Sequence, residues 1–197
     1  AMESLFAVVD VFFVSQLHDN DAVATIGLTE SILTLIYSLA MGLSMGATAM
    51  VARRVGEKDI KSAEVAAAQA IFVGIGLSMA ISIVGVFFSE DLLRLMGASE
   101  QLIQKNSGYA RWMLSGNITI MMLFLINGIF RGAGDASIAM RSLWLANILN
   151  IVLDPVFIFG LGPVPAFGVE GAAIATNLGR GVGVLYQIYH LQKGKGL

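Results

Sequence analysis

Three stretches of this chain, 31–52, 65–88 and 112–130, contain no formally charged residue. A helix needs about 20 mostly apolar residues to cross the hydrocarbon of a bilayer, and each run approaches or exceeds that length. A soluble core of 197 residues could not bury so much apolar surface: 56% of the chain is hydrophobic and only 13% charged, where soluble domains carry about a quarter charged residues. The polar connections HDND (18–21), GEKD (56–59), RGAGD (131–135) and GLGPVPAFG (160–168) divide the chain into six predicted helices, 1–17, 23–52, 62–88, 109–130, 136–159 and 169–191. The fold class expected is therefore all-α, a polytopic six-transmembrane-helix bundle, with residues 1–197 as a single transmembrane domain. The first helix is short for a span and is expected to be truncated at its start.

Charge distribution orients the bundle. Arg53, Arg54, Lys58 and Lys61 lie between the second and third helices, Arg131 and Arg141 flank the turn between the fourth and fifth, and Lys193 and Lys195 follow the sixth. The alternate loops are dominated by Asp19, Asp21, Glu90, Asp91, Glu100 and Glu170. The positive-inside rule places the first set, and with it both chain ends, in the cytoplasm, so a multi-pass protein of the cell's inner membrane is expected. The net charge of −2 excludes a nucleic-acid partner. The absence of cysteine excludes thiolate chemistry and a disulfide framework. Catalysis has no support either: His18 and His190 stand apart, and RGAGD follows an apolar helix, not the strand that a dinucleotide-binding glycine loop requires. Gly42/Gly46, Gly128/Gly132 and Gly179/Gly183 each stand four apart, the spacing at which membrane helices approach closely.

The informative residues are polar groups that hydrocarbon should exclude. A carboxylate at the bilayer centre costs a few kcal/mol even on insertion scales, yet Asp10 lies in the first helix and Asp154 in the fifth. The segment NILNIVLDP puts Asn147, Asn150 and Asp154 on one helical face, with Asn150 and Asp154 four apart. Pro155 lacks an N–H, which leaves a carbonyl of the same helix without its usual donor. Carboxylate, amide and carbonyl oxygens are the ligands that hard cations prefer. Counting about 1.5 Å per residue puts Asp154 in the outer half of the bilayer and Thr176 of the sixth helix at similar depth. Arg180 follows Thr176 by four residues; it reads as a structural partner of Asp154 or Asp10, the alternative being a gate. Glu30 falls in the second turn of the second helix, at the outer interface.

VVDVFFVSQL, GATAMVARRVGEKD, YARWMLSG, NGIFRGAGD, LNIVLDPVFIFG and GVEGAAIAT occur in that order, and together they resemble the MATE (multidrug and toxic compound extrusion) transporters. That resemblance implies a twelve-helix fold of two six-helix lobes, of which this chain is the amino-terminal one, with a carboxy-terminal lobe as its partner. It implies a prokaryotic antiporter, not an enzyme, that exports cationic or amphipathic small molecules in exchange for sodium ions or protons and needs no other cofactor. The coupling cation would be held by Asp10, Asn150, Asp154 and Thr176, with Tyr109 and Asn127 in the surrounding polar network. Arg180 and Glu30 do not belong to the family pattern. The alternative function is a flippase of related architecture for lipids or lipid-linked oligosaccharides, whose cavity would carry a cluster of cationic residues.

Overall fold

The computed structural model describes residues 4–194. Among them every regular element is a helix: α1 (Ser4–Ser15), α2 (Asn20–Gly56), α3 (Ile60–Leu95), α4 (Glu100–Ser115), α5 (Asn117–Gly132), α6 (Ala136–Phe159) and α7 (Val169–Gln192). The helix expected over 109–130 is thus one span built from α4 and α5, and the bundle has six membrane helices. The α2, α3, α4–α5 and α6 segments are long and apolar enough to cross a membrane. With 37 and 36 residues, α2 and α3 are longer than the charge-free runs indicated, because charged residues end a hydrocarbon span without ending a helix. Arg53 and Arg54 continue α2, and Glu90, Asp91 and Arg94 continue α3, into the headgroup and aqueous zones.

The polar connections supply the helix starts. Asp19 accepts from the N–H groups of Asp21 and Ala22, Asp59 from Ser62, Ser99 from Leu102 and Asp135 from Ile138, so each caps an N-terminus whose first amides have no helical acceptor. RGAGD is such a turn: Gly134, at φ +91°, reverses the chain and Asp135 caps α6. After α6, the loop folds back onto the helix it leaves, with Phe167 and Gly168 donating to the carbonyls of Phe157 and Ile158.

Burial is inverted relative to a soluble protein. Phe72, Phe87, Leu35 and Met45 are more than 70% exposed, as befits side chains facing lipid tails. The interior face of α2 is instead Ala22, Thr25, Thr29, Leu33, Ile36, Ala40, Ser44, Ala47 and Val51, recurring every three or four residues. Small residues let the helices touch. A Cβ on Gly128 would meet Ser44 and Thr48, and one on Gly183 would meet Ala146 and the Ser142 carbonyl; these pairs close α5 on α2 and α7 on α6. Gly42 and Gly46 do not follow suit. Nothing lies within 4 Å of a Cβ at either, because that face of α2 points out of this bundle.

The break at Gly116 exposes carbonyls that the rest of the structure satisfies. Asn117 Nδ2 reaches Leu114 O (2.7 Å) and, on α3, Ser78 O (3.1 Å) and Ser82 Oγ (2.9 Å). Ser82 Oγ donates to Ser115 O, and Asn177 of α7 donates to Trp112 O. In hydrocarbon each bare carbonyl would cost several kcal/mol; here side chains from two neighbouring helices meet them.

Candidate functional site

Asp10 sits in mid-α1, where its carboxylate faces α6 and α7. Its Oδ1 accepts from Thr176 Oγ1 at 3.0 Å and from Asn150 Nδ2 at 3.3 Å; Oδ2 lies 3.1 Å from Thr176 Oγ1 and accepts from Tyr109 Oη at 3.4 Å. Asn150 Nδ2 also donates to Asp154 Oδ1 at 3.0 Å and touches Thr176 Oγ1 at 3.0 Å. One amide nitrogen therefore contacts both carboxylates. Asp10, Asn150, Asp154, Thr176 and Tyr109 are all 0% exposed. The four candidate cation ligands of the sequence converge as α1, α6 and α7 pack, and Tyr109 joins them from α4.

The electrostatics of this cluster follow from its donors. Two carboxylates share one amide inside an apolar bundle, with the Thr176 hydroxyl serving Asp10 alone, and uncompensated charge buried so deeply costs several kcal/mol. A proton held between them, or a cation, would supply the balance. Acceptor capacity for a cation is present: Asn150 Oδ1 and Asp154 Oδ2 are buried with no hydrogen-bond donor. Pro155 sits inside α6, so the carbonyl one turn before it, that of Ile151, has no helical N–H to accept.

Two expected members belong elsewhere. Asn127 does not join the Asp10 cluster; its Oδ1 accepts from Gln187 Nε2 at 2.7 Å and Ser142 Oγ at 3.1 Å. This is a second buried network, three turns along α6 from Asp154. Helix geometry explains it, since Asn127 stands near the end of α5 whereas Asp154 and Thr176 approach the opposite face of the bundle. Arg180 likewise forms no ion pair with Asp10 or Asp154 among the described residues. Its Nη2 donates to Tyr37 Oη at 2.9 Å, and its guanidinium lies 4.4 Å from the Phe6 ring centroid and 5.7 Å from that of Tyr37. Thr176 and Arg180 thus grip α1 at two points a turn apart, Asp10 and Phe6. Asn147 shares the stripe with Asn150 but binds the Leu143 carbonyl of its own helix at 2.8 Å.

Tyr37, Ser142 and Gln187 also take part in these networks. A glutamine and a serine within otherwise apolar helices are their only mark in the sequence. Glu30, assigned to the outer interface, is half-buried, near enough to Arg180 and Asp10 for their charges to act on it.

Comparison with known proteins gives the arrangement its context. The MatE family model matches residues 1–156. The chain is 33% identical over 171 residues to a FAD transporter of Shewanella oneidensis, covering 87% of this chain and 38% of that protein. It is 25% identical over 189 residues to the multidrug export protein MepA of Staphylococcus aureus, covering 96% of this chain and 41% of that one. Among solved structures, a MATE in the bent conformation superposes with a TM-score of 0.89 at 37% identity, over 97% of this chain and 42% of that one. An inward-facing multidrug resistance MATE transporter of the MOP superfamily matches with a TM-score of 0.87 at 37% identity, over 94% and 41%. The chain spans about two fifths of the length of these relatives, as one lobe of a two-lobed transporter does. With its bundle of membrane helices and its match along most of its length, this chain belongs to the MATE family of membrane transporters, not to the enzymes.

Proposed function

We propose that this chain is the amino-terminal lobe of a cation-coupled antiporter of the inner membrane, which exports drugs or other amphipathic and cationic compounds together with a carboxy-terminal lobe. The observation that carries the reading is the pair Asp10 and Asp154, joined through Asn150 and Thr176 across three helices. An anchor gains nothing from two buried carboxylates. A transporter needs a group whose occupancy differs between its two states, because coupling is a difference in affinity. A sodium ion or proton arriving from outside relieves the repulsion between the two carboxylates and draws α1 toward α6 and α7. That arrangement, with one negative charge fewer, holds a cationic substrate less firmly and releases it outward.

The test is gradient-driven dye efflux in cells or proteoliposomes. Asp10→Asn and Asp154→Asn are each expected to abolish coupled efflux while membrane expression persists. Substrate binding to either variant should lose its dependence on pH or sodium. Efflux by Asp154→Asn at the parental rate would assign coupling to other residues. A second substrate class is favoured by the 33% identity to a FAD transporter: flavin nucleotide accumulation in proteoliposomes, with dye efflux absent, would select it. A flippase cavity would carry a cluster of cationic residues, whereas among the described residues Arg180, with its two aromatic rings, is the one buried cation.

A further inference from the structure

We propose that the crevice between the positively charged ends of α2 and α3 binds the phosphate headgroup of an anionic phospholipid from the cytoplasmic leaflet. The open crevice offers about 480 Å³, far more than the roughly 10–15 Å³ that a single water needs. From α2 come Met50, Arg53 and Arg54, and from α3 Lys61, Ser62 and Val65; no acidic side chain lines it. Glu57 pairs with Arg53 (2.9 Å) and Arg54 (3.1 Å) from outside the crevice. One carboxylate against two guanidinium groups leaves a positive surplus, to which Lys61 adds, since it forms no ion pair among the described residues. Asp59 caps α3 through the Ser62 N–H at 3.1 Å and also acts on Arg54; with Glu57 it offsets part of the charge of Arg53, Arg54 and Lys61, and the balance stays positive. Basic pockets between membrane helices at the cytoplasmic surface are suited to anionic headgroups.

The positive-inside rule accounts for cations at this end of the bundle but not for their gathering round a cavity. The smaller crevice of about 240 Å³ beside Arg131 holds one cation, and that guanidinium already donates to Ser44 Oγ at 3.2 Å. A lipid rather than free phosphate is indicated by the apolar surface that leaves the α2–α3 crevice. Val65 begins a stripe continued by Phe72, Met79 and Val86, which are 55%, 74%, 58% and 41% exposed. Seven-residue steps keep these side chains on one slowly winding face of α3 for about 31 Å, the thickness of the hydrocarbon. An acyl chain has a track below the site where its phosphate is held. The proposal requires only that α2 and α3 cross a bilayer, and is independent of the transport reading.

Native mass spectrometry of the purified protein, titrated with phosphatidylglycerol, phosphatidylcholine or inorganic phosphate, tests it. Phosphatidylglycerol should remain bound in preference to phosphatidylcholine, and inorganic phosphate should bind far more weakly. The double variant Arg53→Gln/Lys61→Gln should lose about tenfold or more in phosphatidylglycerol affinity. Arg141→Gln, an exposed cation at the same end but outside the crevice, should lose nothing. Both variants change exposed side chains, and an unchanged melting temperature in detergent confirms folding. Retention of parental affinity by the double variant, or an equal loss in Arg141→Gln, overturns the site. Equal binding of inorganic phosphate overturns the lipid assignment.

Discussion

A single hydroxyl shows how much depends on individual atoms here. Thr176 Oγ1 lies within 3.1 Å of both oxygens of Asp10 and 3.0 Å from Asn150 Nδ2, so α1 is registered on α7 by a buried hydrogen bond. One turn away, Arg180 reinforces that register through Phe6 and Tyr37. A planar guanidinium stacks on a ring while donating in its own plane; an ammonium does not combine the two. Arg180→Lys is therefore expected to cost about 2 kcal/mol, the scale of a desolvated cation–π contact. Thermal unfolding in detergent checks this, and a melting temperature equal to the parent's would show that charge alone suffices. Arg180 as a charge in the membrane was legible from sequence. Its partners were not, because Phe6 and Tyr37 come from helices whose rotation about their axes depends on packing.

At the scale of the helix, equal spacing does not mean equal use. Gly42/Gly46 and Gly128/Gly132 present the same four-residue interval, yet a Cβ at Gly128 would press on Ser44 and Thr48 whereas one at Gly42 meets nothing within 4 Å. Gly128→Ala should destabilise the lobe by roughly 1–3 kcal/mol through overpacking of α5 on α2. Gly42→Ala should leave its stability unchanged or raise it by up to about 1 kcal/mol, since alanine is the better helix former. Thermal unfolding of both variants of this chain in detergent provides the comparison. If Gly42→Ala is the more damaging change, the assigned faces of α2 are reversed. The break between α4 and α5 is another feature of this scale. Its glycine is plain in the sequence, but so are many others in continuous helices; it is the donors from α3 and α7 that make a break tolerable there.

Across the whole molecule, two of the buried polar networks among the described residues lie at different depths. Asp10, Asn150, Asp154, Thr176 and Tyr109 form one, and Asn127, Ser142 and Gln187 the other. Ser142 and Asp154 lie on the same helix, about 18 Å apart along its axis, and the layers share no hydrogen-bond partner. Residues so far apart usually contribute additively, whereas members of one network do not. The effects of Asp154→Asn and Gln187→Leu on stability should therefore sum to within about 0.5 kcal/mol. Asp154→Asn and Thr176→Val should deviate from additivity by more than that. A double-mutant cycle that coupled the two layers instead would join Asn127 to the cation cluster after all.

The number of membrane helices, their alternating direction and the outward apolar surface were determined by sequence, since long charge-free runs have one favourable environment and loop charges follow from it. The four residues of the candidate cation site were visible in the sequence as polar groups set in apolar helices, but it is the resemblance to the MATE transporters that grouped them; Asn150 and Asp154 share a helical face whatever the tertiary structure. What only the tertiary structure decided is which polar groups meet. Depth along a helix can be counted from the chain, but the azimuth of a helix is set by how small residues let its neighbours approach. That azimuth brought Tyr109 to Asp10, sent Asn127 to Gln187, and set Arg180 against two aromatic rings.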